Sequence, residues 1–545
     1  MRICHARKRD PQTADEDDAM TPADLVEMLR DPACYPHATR EIRIVETHIS
    51  WVVLTGAVAY KIKKPVRFSF LDFSTLERRR HFCEEELRLN RRFAPELYLG
   101  ISRLTRRGDG VRFDAADRHA PILEYAVRLR EFARSCELTQ LIVRDAITAD
   151  DLRDFGRDVA AVHAGAQRAA ETDHYGSVAT VQQAVAANLT ELAAIDPPVT
   201  ERATVATMER SFLARGDVLA PRMQARRRAG RIRECHGDLH AGNVVQLEER
   251  LVAFDCIEFD PALRFIDIVS DASFLYMDLR SRQRPDLAYG FLDGWLERTG
   301  DHEGLELLRY YAAYRALVRA KVVVLAARAR GKDPIDRGTA AKTTAYLELA
   351  ARLLAPQRPL LLVMVGMSGS GKSWLSQRLT ASLPALRIRS DVERKRLAGL
   401  AADAATRSGP GTGLYTPQFN ALTYERLNDC ARHALRGGEN TILDAAFLKH
   451  SERAAALRLA AELDVPCLLV ACSAPLEVLR RRITQRAGQG TDASEATLEV
   501  LERQRGYFES FTSSEEATLV RVDTSTADPE RVVLDAIAHR LHRDG

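Results

Sequence analysis

The stretch LLLVMVGMSGSGKSWLSQRL, residues 360–379, restricts the fold of this chain more than any other segment. An apolar run of strand character ends at Gly366, and a GxxxxGKS pattern then opens an amphipathic helix. Such a loop presents the backbone N–H groups of Gly366, Met367, Ser368, Gly369, Ser370 and Gly371 to an anion, and the helix N-terminus adds its positive dipole end. Lys372 would reach the β- and γ-phosphates of a nucleotide, and Ser373 would hold Mg²⁺. A glycine-rich turn without a nucleotide is the alternative, and both flanks argue against it. The strand–loop–helix rhythm recurs through NTILDAAF and PCLLVACS, so a parallel sheet covered by helices is expected. A Pro-bounded stretch, APQRP at 355–359, marks where this rhythm begins.

Further residues of kinase type follow in order. In IRSDVERKRL, Asp391 can take a proton from an attacking hydroxyl, and Arg394 can hold an anionic group on the acceptor. Asp444 ends the NTILD strand, placed to support Mg²⁺ or the acceptor. LRRRITQRAGQG carries Arg482 and Arg486 on one helix face, a lid suited to clamping transferring phosphates, or otherwise a solvated basic helix. Residues 358–520 resemble the P-loop kinases related to the kinase domain of polynucleotide kinase and to the zeta-toxin kinases. That resemblance implies Asp391 as general base and Arg394 as an acceptor contact, and it leaves the acceptor open.

The second constraint is HGDLHAGN, residues 236–243. His236 and His240 stand four apart, a zinc spacing on a helix, but Gly237 and Gly242 make a helix poor there and no third ligand is suggested. Asp238 and Asn243 have the spacing of a kinase catalytic loop, in which the aspartate receives the hydroxyl proton and the asparagine binds Mg²⁺. LVAFDCIEF then delivers Asp255 as a second metal-binding carboxylate. Upstream, VAYK presents Lys61 from a strand, as a lysine that meets ATP phosphates is presented. A helix with Leu76, Phe82, Leu87 and Leu89 near helical spacing offers a glutamate to fix Lys61; Glu86 is taken as the partner, although helical phase does not separate it from Glu85. Residues 40–330 resemble the aminoglycoside phosphotransferase family, relatives of protein kinases. The resemblance implies that Asp267, in RFIDIVSD, is a structural acid near the catalytic loop, and that the adenine hinge lies within LEYAVRL. The phosphate-covering GxGxxG loop is missing, with THISWVVLTG in its place. The whole chain resembles bacterial fusions of such a domain with a P-loop kinase domain, through AYKIKKPV, EEELRLNRRFAPELYLG and YRALVRAKV as well.

At 545 residues more than one core is expected. The fold class expected is mixed α/β and α+β: a protein-kinase-like region of small β-rich lobe and large helical lobe over 20–355, and a P-loop sheet over 356–545. Residues 1–19 read as a disordered tail, and Met20 could be the start. A net charge of +3 from 79 basic and 76 acidic residues gives no nucleic-acid stripe. No CxxC pair occurs among nine cysteines, which argues against a zinc ribbon and a disulfide framework. No apolar run reaches the ~20 residues of a membrane span, and a reduced cytoplasm is the expected setting. The expected activity is ATP- and Mg²⁺-dependent phosphate transfer to hydroxyls of small molecules at two sites. The rivals are an ATP-binding regulatory protein with one idle domain, and a nucleic-acid end kinase. The basic RYYAAYRALVRAKV favours a phosphorylated or acidic acceptor over a cationic one.

Overall fold

In the computed structural model, residues 21–68, 71–108, 110–117, 119–195, 202–329, 335–402, 404, 413–489 and 497–543 are described. The expected tail, 1–19, lies outside them. Contacts divide the chain into two compact units: one runs to Ala133 and includes Glu258–Asp260, the other comprises Arg134–Ile257 and Pro261 onward.

The first unit is built on strands β1 (Arg43–Glu46), β2 (Ser50–Leu54) and β3 (Val58–Lys63), helix α1 (Leu76–Asn90), and strands β4 (Tyr98–Arg107), β5 (Gly110–Phe113) and β6 (Ile122–Arg130). They form one antiparallel sheet in the order β1-β2-β3-β6-β4-β5. Side chains alternate along β3. Tyr60 and Ile62 enter an apolar cluster with Trp51, Val53, Phe113 and Ala126. Lys61 and Lys63 take the opposite face, toward α1. Thr75 caps α1 by accepting from the Arg78 N–H. Its buried face is Arg79, Cys83, Glu86, Leu89 and Asn90, whereas Leu76, Phe82 and Leu87 are only half-buried. A mostly polar buried face explains why hydrophobic spacing leaves the helix's orientation open.

The main elements of the second unit begin with helices α2 (Ala149–Gly165), α3 (Val178–Ala193) and α4 (Arg202–Arg228) and strand β7 (Ile232–Glu234). Strands β8 (Val244–Leu247) and β9 (Arg250–Ala253) form a hairpin, and β10 (Phe265–Asp267) pairs with β7. Helices α5 (Ile268–Ser281), α6 (Pro285–Thr299), α7 (Leu305–Ala329) and α8 (Arg337–Leu354) follow. Helix α5 is buried at every residue from Ile268 to Leu279, so it is a central strut of this region.

The rest of the unit contains β11 (Leu361–Val365), α9 (Lys372–Ser382), β12 (Ala385–Arg389), α10 (Ser390–Leu397), α11 (Pro417–Arg436), β13 (Asn440–Asp444), α12 (His450–Glu462), β14 (Cys467–Ser473), α13 (Leu476–Gln489), α14 (Leu498–Tyr507), β15 (Leu519–Asp523) and α15 (Pro529–Arg543). All strand pairs are parallel, in the order β12-β13-β11-β14-β15. Every residue of the central β11 is buried. Leu361, Val363 and Val365 face one apolar cluster and Leu362 and Met364 the other, as a sheet covered on both faces requires.

The sheet is docked firmly on the helical region. Glu439, 1% exposed just before β13, accepts from the Tyr276 hydroxyl at 3.1 Å and also from the Tyr289 hydroxyl. Arg396 of α10 donates to the carbonyls of Leu296 (3.2 Å) and Glu297 (2.6 Å) at the end of α6. Glu393, one turn back on the same face, is held by Arg396 and by Arg426 at 3.0 Å. The stretch 355–359 therefore joins two packed parts of one compact unit.

Candidate functional site

In the first unit, Lys61 Nζ donates to Glu86 Oε1 at 2.8 Å. Glu85 turns outward to Arg88, so Glu86 is the partner. Glu86 Oε2 accepts from Lys63 at 2.7 Å, and Lys63 also pairs with Glu258. Burial works against the Lys63 charge, but Glu258 and Glu86 together hold its pKa above the ordinary value. Sequence reading missed Lys63 and Glu258. A second lysine two residues along a strand reads as an edge charge, and only burial shows that two carboxylates surround it.

In the second unit the loop His236–Asn243 spans β7 and β8. Asn243 Nδ2 donates to the backbone carbonyl and to Oδ2 of Asp238, at 3.0 and 3.1 Å. The Asp238 side chain remains about a third exposed (34%). Burial would raise its carboxyl, but His240, then Arg319 and His236, hold it well below the ordinary carboxylate range. His236 Nδ1 accepts from the Asp238 N–H (3.3 Å), so its Nε2–H donates to the Phe254 carbonyl (2.9 Å). The Phe254 N–H reaches the Asn243 carbonyl at 3.0 Å, and the Ile257 N–H reaches the His236 carbonyl at 3.1 Å. These bonds lay residues 254–257 along the loop and bring Asp255 to the side of Asp238 and Asn243. Asp255 has φ +66°, a left-handed conformation uncommon for an aspartate. Gly237, at φ +87°, has no room for a side chain, since a Cβ would lie 2.9 Å from the Leu263 carbonyl oxygen.

The structural acid of this loop is Asp271, correcting the expectation for Asp267. Asp267 caps α5 through the Val269 N–H at 3.0 Å and is bound at 2.7 Å by Arg226. One turn later, Asp271 accepts the N–H groups of His236 (3.1 Å) and Gly237 (2.9 Å). It also accepts from His163 Nε2 at 3.0 Å, and the Trp295 indole N–H donates to His163 Nδ1 at 3.1 Å, which fixes the tautomer. Burial raises the Asp271 carboxyl, but these donors bring it down to about 2. Asp278 accepts the Ala241 N–H at 3.0 Å, and Arg315 donates to the Gly237 carbonyl at 3.2 Å.

The glycine-rich loop connects β11 to α9. Gly366 has φ +148°, and a Cβ there would lie 2.5 Å from the Cys472 carbonyl oxygen. Gly369 and Gly371 are also left-handed, and the buried Ser370 contributes its carbonyl to the Thr524 hydroxyl at 2.8 Å. Lys372 Nζ folds onto the Met367 carbonyl at 2.9 Å. Ser373 Oγ donates to Asp444 Oδ1 (3.2 Å), and Ser376 Oγ donates to Asp444 Oδ2 (3.1 Å). Asp444 thus adjoins the hydroxyl expected to hold Mg²⁺, one of the two places expected for it. Asp391 sits in the first turn of α10 at the end of β12. Arg394 is 7% exposed and bound to the Leu414 carbonyl (2.9 Å) and Asn420. Its guanidinium helps hold the segment that faces α10.

Arg482 is not a freely swinging clamp: it donates to the Gly369 carbonyl at 3.3 Å and to Thr524 Oγ1 and O, both at 2.9 Å. The Arg486 side chain lies outside the described residues. Gln504 of α14 was not foreseen. Its side-chain oxygen accepts the Ser368 N–H at 2.7 Å, and nothing in the sequence around it signals a loop contact.

Residues 361–511 match the family model described as an AAA domain. Among solved structures, a choline/ethanolamine kinase family protein from Mesorhizobium loti is 13% identical, covering 61% of this chain and 95% of that one, with a TM-score of 0.37. A gluconokinase from Sinorhizobium meliloti 1021 is 22% identical, covering 34% of this chain and 94% of that one, with a TM-score of 0.24. The uncharacterized protein Rv2004c of Mycobacterium tuberculosis is 32% identical over 470 residues, 85% of this chain and 91% of the relative. The chain belongs to the family of Rv2004c.

Proposed function

We propose that this chain is a phosphotransferase with two kinase sites, each moving the γ-phosphoryl group of ATP to a hydroxyl of a small molecule. The observation that carries this reading is the pair Asp238 and Asn243, joined at 3.1 Å on a braced loop, with Asp238 still open to an acceptor. At that site Asp238 orients the acceptor hydroxyl and receives its proton as transfer proceeds. Asn243 and Asp255 offer oxygen donors of the hard type that suits Mg²⁺, as do Ser373 and Asp444 at the second site. Bound Mg²⁺ would neutralise phosphate charge during transfer. Lys61, fixed by Glu86, supplies a cation for ATP phosphates. At the second site the Gly366–Ser373 backbone and Lys372 hold the phosphates, and Asp391 activates the acceptor hydroxyl. Arg482 shapes the loop through Gly369 and Thr524. Catalysis at both rests on positioning and charge stabilisation.

Calorimetric stoichiometry of Mg²⁺–ATP on the intact chain and on Lys372→Ala tests the reading. Two sites falling to one are expected. One site falling to none would remove the first region from nucleotide chemistry.

A further inference from the structure

Two arginines stand one turn apart on α7, behind the Asp238 loop, and their surroundings differ. Arg315 is 4% exposed and well occupied: it donates to the Gly237 carbonyl, reaches Ser270 Oγ at 3.4 Å, and lies 4.9 Å from the centre of the Phe274 ring. Arg319 has no such set. Among the described residues no carboxylate pairs with it, and its buried Nε, like that of Arg315, makes no hydrogen bond. Its NH1 instead lies 3.1 Å from Nε2 of His240.

That contact cannot be an ordinary hydrogen bond. His240 Nδ1 accepts the Gly242 N–H at 3.0 Å, which places the ring proton on Nε2. Nε2–H faces Asp238 Oδ2 at 3.4 Å. The His240 ring is further fixed against Phe274, with centroids 5.6 Å apart at 61°. Two donors, Nε2–H of His240 and NH1 of Arg319, therefore converge beside Asp238 without an acceptor between them apart from one long contact to its carboxylate. Convergent donors next to a catalytic carboxylate fit a negatively charged oxygen that arrives only with the reactants.

We propose that Arg319 and His240 form an oxyanion subsite beside Asp238, filled during turnover by a tetrahedral phosphoryl-type group. The proposal rests on the reading of Asp238 as the acceptor-side carboxylate. The group is supplied either by the phosphoryl in transfer or by an anionic substituent on the acceptor. In both cases His240 donates one hydrogen bond and Arg319 supplies the positive charge, so the acceptor side of this site is built for anions.

The test is calorimetric titration of inorganic phosphate into the intact chain carrying Lys372→Ala, with and without Mg²⁺–ADP, and then with Arg319→Met or Arg319→Lys added. Saturable binding that weakens at least tenfold in Arg319→Met, and is partly restored in Arg319→Lys, is the expected result. Binding that requires Mg²⁺–ADP identifies the transferred phosphoryl as the occupant. Binding that is equally tight without nucleotide identifies an anion carried by the acceptor. No saturable binding in either condition, or binding indifferent to both Arg319 variants, overturns the subsite and leaves Arg319 as a distant counter-charge for Asp238. Thermal midpoints confirm folding; if Arg319→Met is unfolded, the Arg319→Lys titration decides, a drop of threefold or more being expected and no change overturning the subsite. Failure of the Lys372→Ala chain to bind Mg²⁺–ADP would sink the nucleotide reading of the first site, whereas the nucleotide-free phosphate titration still decides the subsite.

Discussion

The His236–Asn243 loop and the Gly366–Ser373 loop present their chemistry by opposite means. The glycine-rich loop is curled by its own left-handed glycines, with a lysine folded onto the loop, and is tied from outside by Asp444, Arg482, Gln504 and Thr524. The histidine loop is held from outside by Asp271 and Asp278 of α5, Arg315 of α7, and His163 of α2 with Trp295 behind it. Both loops have distant braces, but the glycine-rich loop takes its curl from its own left-handed glycines, whereas the histidine loop relies on the carboxylates of α5. Loss of an α5 carboxylate should therefore disable the histidine loop while sparing the glycine-rich one.

The largest effect expected is from Asp271→Ala. It leaves two backbone N–H groups and His163 Nε2–H without their acceptor, a loss of roughly 3–5 kcal/mol in stability. Denaturant unfolding measures that loss, and calorimetry well below the transition should show the nucleotide site at Lys372 still present. Equal loss of both sites would dissolve the contrast.

Acid sharpens it next. The Asp271 carboxyl is lowered in the folded chain from 3.8 to about 2. Its stabilisation is therefore present above about pH 4 and disappears as pH falls through 2, an effect on the order of 2 kcal/mol. Unfolding curves across pH 5 to 2 should show that loss in the parent and a flatter profile in Asp271→Asn.

The smallest effect tests the other loop. Gly366→Ala forces a methyl group against the Cys472 carbonyl at a left-handed position. Nucleotide affinity at the second site should fall about tenfold, read by calorimetry, with the first site unchanged.

The same contrast explains what could be read from the sequence. The glycine-rich loop, its strand and its helix were legible because flanks and glycine spacing specify them locally. Asp238 and Asn243 were legible for the same reason. Asp271 was not: Asp267 and Asp271 lie a turn apart on one face of α5, and only the packing of α5 against β7 decides which reaches the loop. Glu86 could not be separated from Glu85 because the inner face of α1 is mostly polar, so hydrophobic spacing carried no phase. Asp444 was left between two roles by the sequence, and its contacts to Ser373 and Ser376 show which side it takes, while the ties of Arg482 to Gly369 and Thr524 carry no sequence signal.

Glu439 has a consequence of a different kind. A gene cut at residue 355 would leave the C-terminal product with a bare carboxylate in a pocket shaped for two tyrosine hydroxyls, and with Arg396 lacking the carbonyls that end α6. The N-terminal product would meanwhile expose Tyr276 and Tyr289. Neither piece would keep the packing it has in the whole chain, so the two parts are expected to unfold and to be degraded together.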